Sequence, residues 1–326
     1  MNSLAITRFV HSRWMVIISA MIMVGCGLFA ATWQNLNYIT SDRGIVFPSP
    51  DLWLGDVEWG TWLNLGALLV NGLLMTVMVK VYNLLRTMTT LASSLFFAMT
   101  VATPDLLVRF TNGTLLAMTI MACLFLLFTA YGDQARMKNI FLIFVILSAL
   151  AMVQYSYVVY IPVFIIGCAQ MRIFSMRSVV ATLLGIITPW FLVLGSGIVA
   201  YDTVHAPDIV NIFTNFGLND VLHIAFATII TIVVLVGAWF LNLMKMLSYN
   251  AHRRAFSGAL SMVSLFTILA LLLDFTNAAS YTPLLYMCAA FQVSHLLAGH
   301  ASRMGYIPVI TIIAIYLGLY FWRMAI

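Results

Sequence analysis

The sequence predicts an all-α, polytopic integral membrane protein with about eleven transmembrane helices. Of the 326 residues, 63% are hydrophobic and only 8% are charged, whereas an ordinary soluble domain carries about 25% charged residues. The apolar residues form runs close to the length of about 20 residues that a membrane-spanning helix needs. The charged residues fall in or beside the gaps between these runs. We therefore predict a single transmembrane domain over residues 1–326.

The apolar runs define the predicted helices in chain order. The first run continues well beyond the length of a signal peptide, so we expect a retained helix. The run 139–171 is too long for one span, and its polar, aromatic centre ends in the helix breaker Pro162. It is therefore divided into two helices that meet at an interfacial aromatic belt. The predicted spans are 14–33, 62–79, 87–103, 113–131, two within 139–171, 178–199, 221–241, 256–273, 282–298 and 306–322.

The charges separate by sign when these helices are threaded through a bilayer. With the N-terminus in the cytoplasm, the only bases on the outer side are Arg43, Arg109 and Arg323, and the only acid inside is Asp133. Basic residues concentrate in cytoplasmic loops, so this pattern predicts a cytoplasmic N-terminus and an outer C-terminus. The longest outer loops are then about 34–61 and 200–220.

The first outer loop is the richest in chemistry. Asp42, Asp56 and Glu58 are candidate catalytic carboxylates, and Arg43 is a candidate substrate-binding residue. Carboxylates held near a lipid surface can act as general bases or bind a divalent cation, and no cofactor is otherwise expected. The alternative is a solvated acidic loop, anchored at the headgroup level by its tryptophans.

A second candidate site lies between the third and fourth predicted helices. Asp105 and Arg109 are four residues apart and can pair on a helical turn, and Asn112 follows. Arg109 lies on the side that is poor in bases, where its guanidinium is suited to bind a phosphate with two hydrogen bonds. The alternative is an ordinary ion pair that closes a tight turn.

The loop 200–220 contributes a third candidate, His205. Together with His223 it is suited to shuttle protons near neutral pH, and with neighbouring aspartates to bind a metal. Its spacing matches no established metal motif. A hydrogen-bonded surface histidine is the alternative.

Several classes of function are disfavoured. The helix centres carry no Asp, Glu, Lys or Arg, which argues against an ion-coupled carrier. The sequence has no phosphate-binding loop for ATP and no basic run for nucleic acid. Polar residues inside the spans, such as Asn64 and Gln292, are expected to hold helices together.

Two resemblances add to these expectations. The segments Tyr-Asn-Leu-Leu-Arg (82–86), Ala-Met-Thr-Val-Ala-Thr-Pro-Asp (98–105) and Asn-Gly (112–113) resemble the second outer turn of polytopic membrane glycosyltransferases. The segments Tyr-Ile-Pro (160–162) and Arg-Ile-Phe-Ser-Met-Arg (172–177), followed by a Gly-to-Pro helix, are similar to an uncharacterised family of bacterial inner-membrane proteins of Bacteroidota. This second likeness implies a multi-pass protein of the cell inner membrane.

The glycosyltransferase resemblance implies a multi-span fold and a polyprenyl-phosphate-linked sugar donor. It also implies a catalytic acid in the first outer loop, at Asp42, with Asp56 and Glu58 as rivals. Three functions in cell-envelope biogenesis stay open: transfer or polymerisation of lipid-linked sugars at the outer face, a non-enzymatic subunit or scaffold of an assembly or transport complex, and an uncoupled flippase for a lipid-linked substrate. The expected partners are membrane lipid, a polyprenyl-phosphate-linked glycan and other membrane proteins.

Overall fold

The chain folds into a bundle of α-helices in a computed structural model. The model describes residues 12–33, 44–53, 57–84, 90–133, 136–197, 199, 204, 218–246, 250–298 and 306–325, and none of them lies in a β-strand. The α-helices are α1 (Arg13–Trp33), α2 (Val57–Val81), α3 (Leu91–Thr100), α4 (Pro104–Val108), α5 (Asn112–Thr129), α6 (Met137–Ala151), α7 (Tyr160–Gln170), α8 (Met176–Gly195), α9 (Leu218–Met246), α10 (Ala251–Leu273), α11 (Ala278–Ala298) and α12 (Ile307–Ala325).

The prediction of an all-α membrane protein is confirmed. Within the described parts of the chain, seven helices are long and apolar enough to cross a membrane, namely α1, α2, α5, α8, α9, α10 and α12. The shorter apolar helices are α3, α6 and the segment that ends in α7. The chain is therefore a multi-pass membrane protein.

Two helix starts differ from the prediction in ways that affect the candidate site. Helix α2 begins at Val57 and not at residue 62, so Glu58 lies in its first turn. The predicted helix 87–103 is only ten residues long in its α-helical part. A new short helix, α4, starts at Pro104, because the fixed backbone angle of proline suits the first turn of a helix.

The predicted division of residues 139–171 into two helices is confirmed. Helix α6 ends at Ala151, and a 3-10 turn over Tyr155–Val159 leads directly into α7. Tyr157 and Tyr160 are fully buried, whereas Val158 is 47% exposed. The aromatic connection is therefore packed against the protein on one side only.

Helices α3 and α11 form the centre of the bundle. Every residue of α3 is buried, and so is every residue of α11 from 280 to 294. Helix α11 is not among the seven strongly apolar helices, since it carries Gln292 and several buried hydroxyl groups. A helix shielded from lipid tolerates such groups where neighbouring helices supply hydrogen-bond partners.

Contacts between the connecting segments show which of them lie at the same end of the helix bundle. At one end, the backbone N–H of Gly132 donates to the carbonyl of Met171, and Thr90 donates to the carbonyl of Ser12. We call this the basic end, because the described bases Arg13, Lys80, Arg136, Lys138, Arg172, Arg177, Lys245, Arg253 and Arg254 flank its connections. The other end, the acidic end, holds Glu58, Asp105 and Asp274.

Candidate functional site

The start of α2 packs against the short helix α4 at the acidic end. Thr61 Oγ1 donates to the carbonyl of Val108 at 2.6 Å. Asn64 Nδ2 donates to the carbonyls of Leu106 at 2.7 Å and Leu107 at 2.9 Å. The last carbonyls of a helix lack intrahelical donors, so these two side chains satisfy three of them. Asn64 thus holds helices together, as the sequence predicts.

This packing joins the two segments that carry the predicted site residues Glu58 and Arg109. Glu58 lies one turn before Thr61 in α2, and Arg109 directly follows Val108. Glu58 is exposed and has no hydrogen-bond or ionic partner among the described residues, while Arg109 is half-buried in extended backbone at the end of α4. Trp59 and Trp62 beside them are exposed, as expected for side chains at the membrane–water interface.

Asp105 has a different partner from the one that its spacing suggests. Its two carboxylate oxygens accept hydrogen bonds from Nε and Nη2 of Arg323, both at 3.0 Å. The side chains of this ion pair are only 12% and 8% exposed, respectively. The expected pairing of Asp105 with Arg109 is therefore replaced by a bond to the last helix, 218 residues away.

Asn112 connects this region with the turn between α6 and α7. Its side chain is fully buried, and Nδ2 donates to Ser156 Oγ at 3.1 Å. The next residue, Gly113, allows the close approach of α5 to α11, since a Cβ atom here would lie 2.6 Å from the carbonyl oxygen of Ala279. Asn112 is thus a linking residue between two parts of the acidic end.

A chain of hydrogen bonds continues from this turn. Tyr155 donates a short hydrogen bond to Asp274 Oδ2, and Asn277 Nδ2 donates to the Tyr155 hydroxyl at 3.3 Å. Ser280 donates to Asn277 Oδ1 at 2.6 Å, and Gln154 Nε2 donates to Ser280 Oγ at 3.2 Å. Ser49 donates to Gln154 Oε1 at 3.4 Å, and Thr276 donates to Asp274 Oδ1 at 2.9 Å. We call the connected set the polar cluster; its members are Ser49, Gln154, Tyr155, Asp274, Thr276, Asn277 and Ser280.

Asp42, Arg43, Asp56 and His205 fall outside the described residues. His223 is fully buried between α9 and α12, where its Nε2 lies 3.1 Å from the carbonyl oxygen of Leu319. Among the described residues, no group of three or more His, Cys, Asp or Glu side chains is arranged to hold a metal ion.

Sequence reasoning missed two features of the acidic end. It assigned no partner to Arg323, although Arg323 is one of the few bases on the acid-rich side. It also treated Gln154 and Asp274 as separate polar positions, and local spacing gives no signal for the series of hydrogen bonds that connects them. Comparison of the chain with protein-family models, with curated proteins and with solved structures finds no match. The site therefore has to be interpreted from its own chemistry.

Proposed function

We propose that all eleven apolar segments cross the cell inner membrane, with the basic end in the cytoplasm and the acidic end outside. The N-terminus then lies inside and the C-terminus outside. The clustering of bases at one end supports this orientation, because Lys and Arg are retained on the cytoplasmic side during insertion. The short helix α3 crosses as an interior segment that the longer helices shield from lipid, whereas α6 and α7 each keep an exposed apolar side.

The function that this geometry supports best is transfer of a lipid-linked sugar at the outer face, as a step of cell-envelope biogenesis. The observation that carries the proposal is the position of Glu58 and Arg109 on adjoining segments of the acidic end. A carboxylate that has no partner among the described residues and an arginine side chain at the headgroup level suit a substrate that combines hydroxyl and phosphate groups. The exposed tryptophans beside them support the proposal, since tryptophan side chains favour the headgroup level, where we expect the phosphate of a polyprenyl phosphate.

The proposed reaction is a displacement at the anomeric carbon of the donor sugar. An acceptor hydroxyl attacks this carbon, and Glu58 accepts the hydroxyl proton. The bond between the anomeric carbon and the phosphate oxygen breaks, and the polyprenyl phosphate leaves with the electron pair. Arg109 stabilises the charge on the departing phosphate by charge-assisted hydrogen bonds. A divalent cation held by carboxylates is an additional means of stabilising this charge.

Replacement of the two residues tests the proposal. We expect Glu58→Gln to slow the appearance of surface glycan by about a hundredfold or more, the typical loss for a general base. Arg109→Gln should slow it by about ten- to hundredfold, because one hydrogen bond to a charged group is removed. The matched controls are Asp133→Asn and Arg136→Gln, which make similar changes in an exposed pair at the basic end.

The same experiment includes Asp42→Asn and Asp56→Asn, the rival catalytic acids. Unchanged glycan in all four outer variants, each present at the wild-type level, would exclude the enzyme. Accumulated donor in the inner leaflet would instead indicate a flippase. A partner protein that co-purifies stoichiometrically, and is lost together with function in variants of a lipid-facing helix, would indicate a scaffold.

A further inference from the structure

Helices α6 and α8 pack side by side, and both begin at the basic end. Ser148 Oγ of α6 donates to the carbonyl of Ile186 at 2.7 Å. A Cβ atom at Gly185 would lie 2.9 Å from the carbonyl oxygen of Phe141 and 3.4 Å from the backbone nitrogen of Val145. These contacts lie four to eight residues after the start of α6 and nine residues after the start of α8. At about 1.5 Å per residue, the two helices therefore begin within about 8 Å of the same depth.

The first turns of these two helices place bases at their junction. Lys138 lies three residues before Phe141, on the side of α6 that faces α8. Arg177 directly precedes Ser178, which together with Gly185 belongs to the buried side of α8. The side chains of Lys138 and Arg177 are both exposed. The junction between α6 and α8 therefore begins with two cations.

A third cation, Arg172, lies in the turn that leads from α7 into α8. Its N–H donates to the carbonyl of Ala169 at 3.1 Å, and the N–H of Ile173 donates to the carbonyl of Cys168 at 3.2 Å. This pair of bonds is the Schellman motif, in which the position of Arg172 is usually a glycine in the left-handed conformation. Arg172 adopts that conformation, with φ +58°. The preceding carbonyl accepts from Gly132, so the exposed Arg172 lies beside the connection into α6.

The positive charge at this junction is not balanced within the described part of the chain. We call Lys138, Arg172 and Arg177 the basic cluster; none of them has a hydrogen-bond or ionic partner among the described side chains. The one acid in the described part of the basic end, Asp133, is bonded to Arg136 at 3.1 Å. Neither α6 nor α8 has an acidic residue in its first turn, although the start of a helix favours negative charge. The junction is therefore suited to an external anion.

Exposed apolar side chains accompany the basic cluster. Phe174 and Met176, between Arg172 and Arg177, are 55% and 84% exposed. Helix α8 continues away from the cluster with an exposed apolar face formed by Val180, Leu183, Leu184, Ile187 and Phe191. A free anion would contact only the cations, whereas a phospholipid with an anionic headgroup would contact both the cations and the apolar face. The combination thus favours a lipid.

We propose that the basic cluster binds the phosphate of an anionic phospholipid, whose acyl chains lie along the exposed face of α8. Lys and Arg near a membrane surface attract anionic lipids, and guanidinium groups bind phosphate oxygens with paired hydrogen bonds. A zwitterionic lipid carries a cation in its headgroup, which the cluster repels. The site depends neither on sugar transfer at the acidic end nor on the compartment that the basic end faces.

Titration of the full chain in detergent micelles with dioleoylphosphatidylglycerol, followed by native mass spectrometry, tests the site. Dioleoylphosphatidylcholine has the same acyl chains without net charge, and we expect its affinity to be lower by about tenfold or more, since several bases act together. Lys138→Gln and Arg177→Gln should each weaken phosphatidylglycerol binding by about fivefold. The matched control is Lys80→Gln, which makes the same change in an exposed base at the end of α2 and should have no effect.

Arg172→Gly separates lipid binding from the structure of the turn. Glycine adopts positive φ readily, so this variant keeps the Schellman motif while it removes the guanidinium. We expect phosphatidylglycerol binding to weaken by about fivefold with no decrease in the free energy of unfolding. A loss of stability that accompanies the loss of binding would instead assign Arg172 to the turn alone.

The remaining results would overturn the proposal. Equal affinities for the two lipids would reject the anionic site, and so would unchanged phosphatidylglycerol binding in all three cluster variants. Equal losses in Lys80→Gln and Lys138→Gln would mean that the overall charge of the basic end attracts the lipid without a defined site. Displacement of bound phosphatidylglycerol by excess inorganic phosphate would indicate a site for a free anion. Unchanged phosphatidylcholine binding shows that each variant is folded.

Discussion

The buried ion pair between Asp105 and Arg323 should be a major contributor to the stability of the last helix. Replacement of Arg323 by methionine keeps the apolar stem but leaves the carboxylate of Asp105 without its bidentate partner. For charge centres about 4 Å apart and an effective dielectric constant of about 20, the lost Coulomb energy is about 4 kcal/mol. Removal of one member of a buried pair elsewhere costs about 3–5 kcal/mol. We therefore expect Arg323→Met to lower the free energy of unfolding by about 3–5 kcal/mol.

The measurement is the free energy of unfolding in mixed detergent micelles for wild type, Arg323→Met, Asp105→Leu and the double variant. The double variant should lie within about 1–2 kcal/mol of wild type, because an apolar contact replaces the pair without leaving a buried charge. The matched control is the Asp133–Arg136 pair, whose side chains are 46% and 52% exposed. Its loss should cost less than about 1 kcal/mol, since water screens an exposed pair.

The reasoning would be refuted by either of two results. One is a loss of less than about 1 kcal/mol in Arg323→Met, which would mean that water or another group replaces the guanidinium at no cost. The other is a double variant whose loss equals the sum of the single losses, because two groups that interact directly are not additive.

Two further predictions concern helix packing. Gly113→Ala should lower the free energy of unfolding by about 1–3 kcal/mol, as in other overpacked sites, because the new Cβ meets the carbonyl of Ala279; the control Gly66→Ala, which has open space around it, should be neutral or stabilising. Ser148→Ala should cost about 1 kcal/mol, since its hydroxyl donates to the carbonyl of Ile186 at 2.7 Å and joins α6 to α8. The same unfolding assay checks both, and equal stabilities for the two glycine variants or no loss in Ser148→Ala would contradict them.

The sequence predicted the helical class and the grouping of loops, because both depend on local composition. The apolar runs predict the positions of the helices. The described connections that carry Glu58, Asp105 and Asp274 lie at one end of the bundle. The early end of α3 at Thr100 and the helical start before Glu58 were not predicted, since both fall where a loop and a helix have similar composition. The partner of Arg323 could not be predicted either, because two residues that are 218 positions apart in the sequence form no local spacing pattern.

The two ends differ in how they hold their charges, and this difference bears on function. Orientation in a membrane requires only that bases remain on one side, and exposed side chains satisfy this requirement. At the acidic end, charged side chains are also buried. The Asp105–Arg323 pair is buried, and Asp274 is hydrogen-bonded within a cluster of largely buried amides and hydroxyls. Burial of such groups costs desolvation free energy, and the orientation of the protein in the membrane does not require these groups to be buried. This cost is the physical reason to look for binding and chemistry at the acidic end.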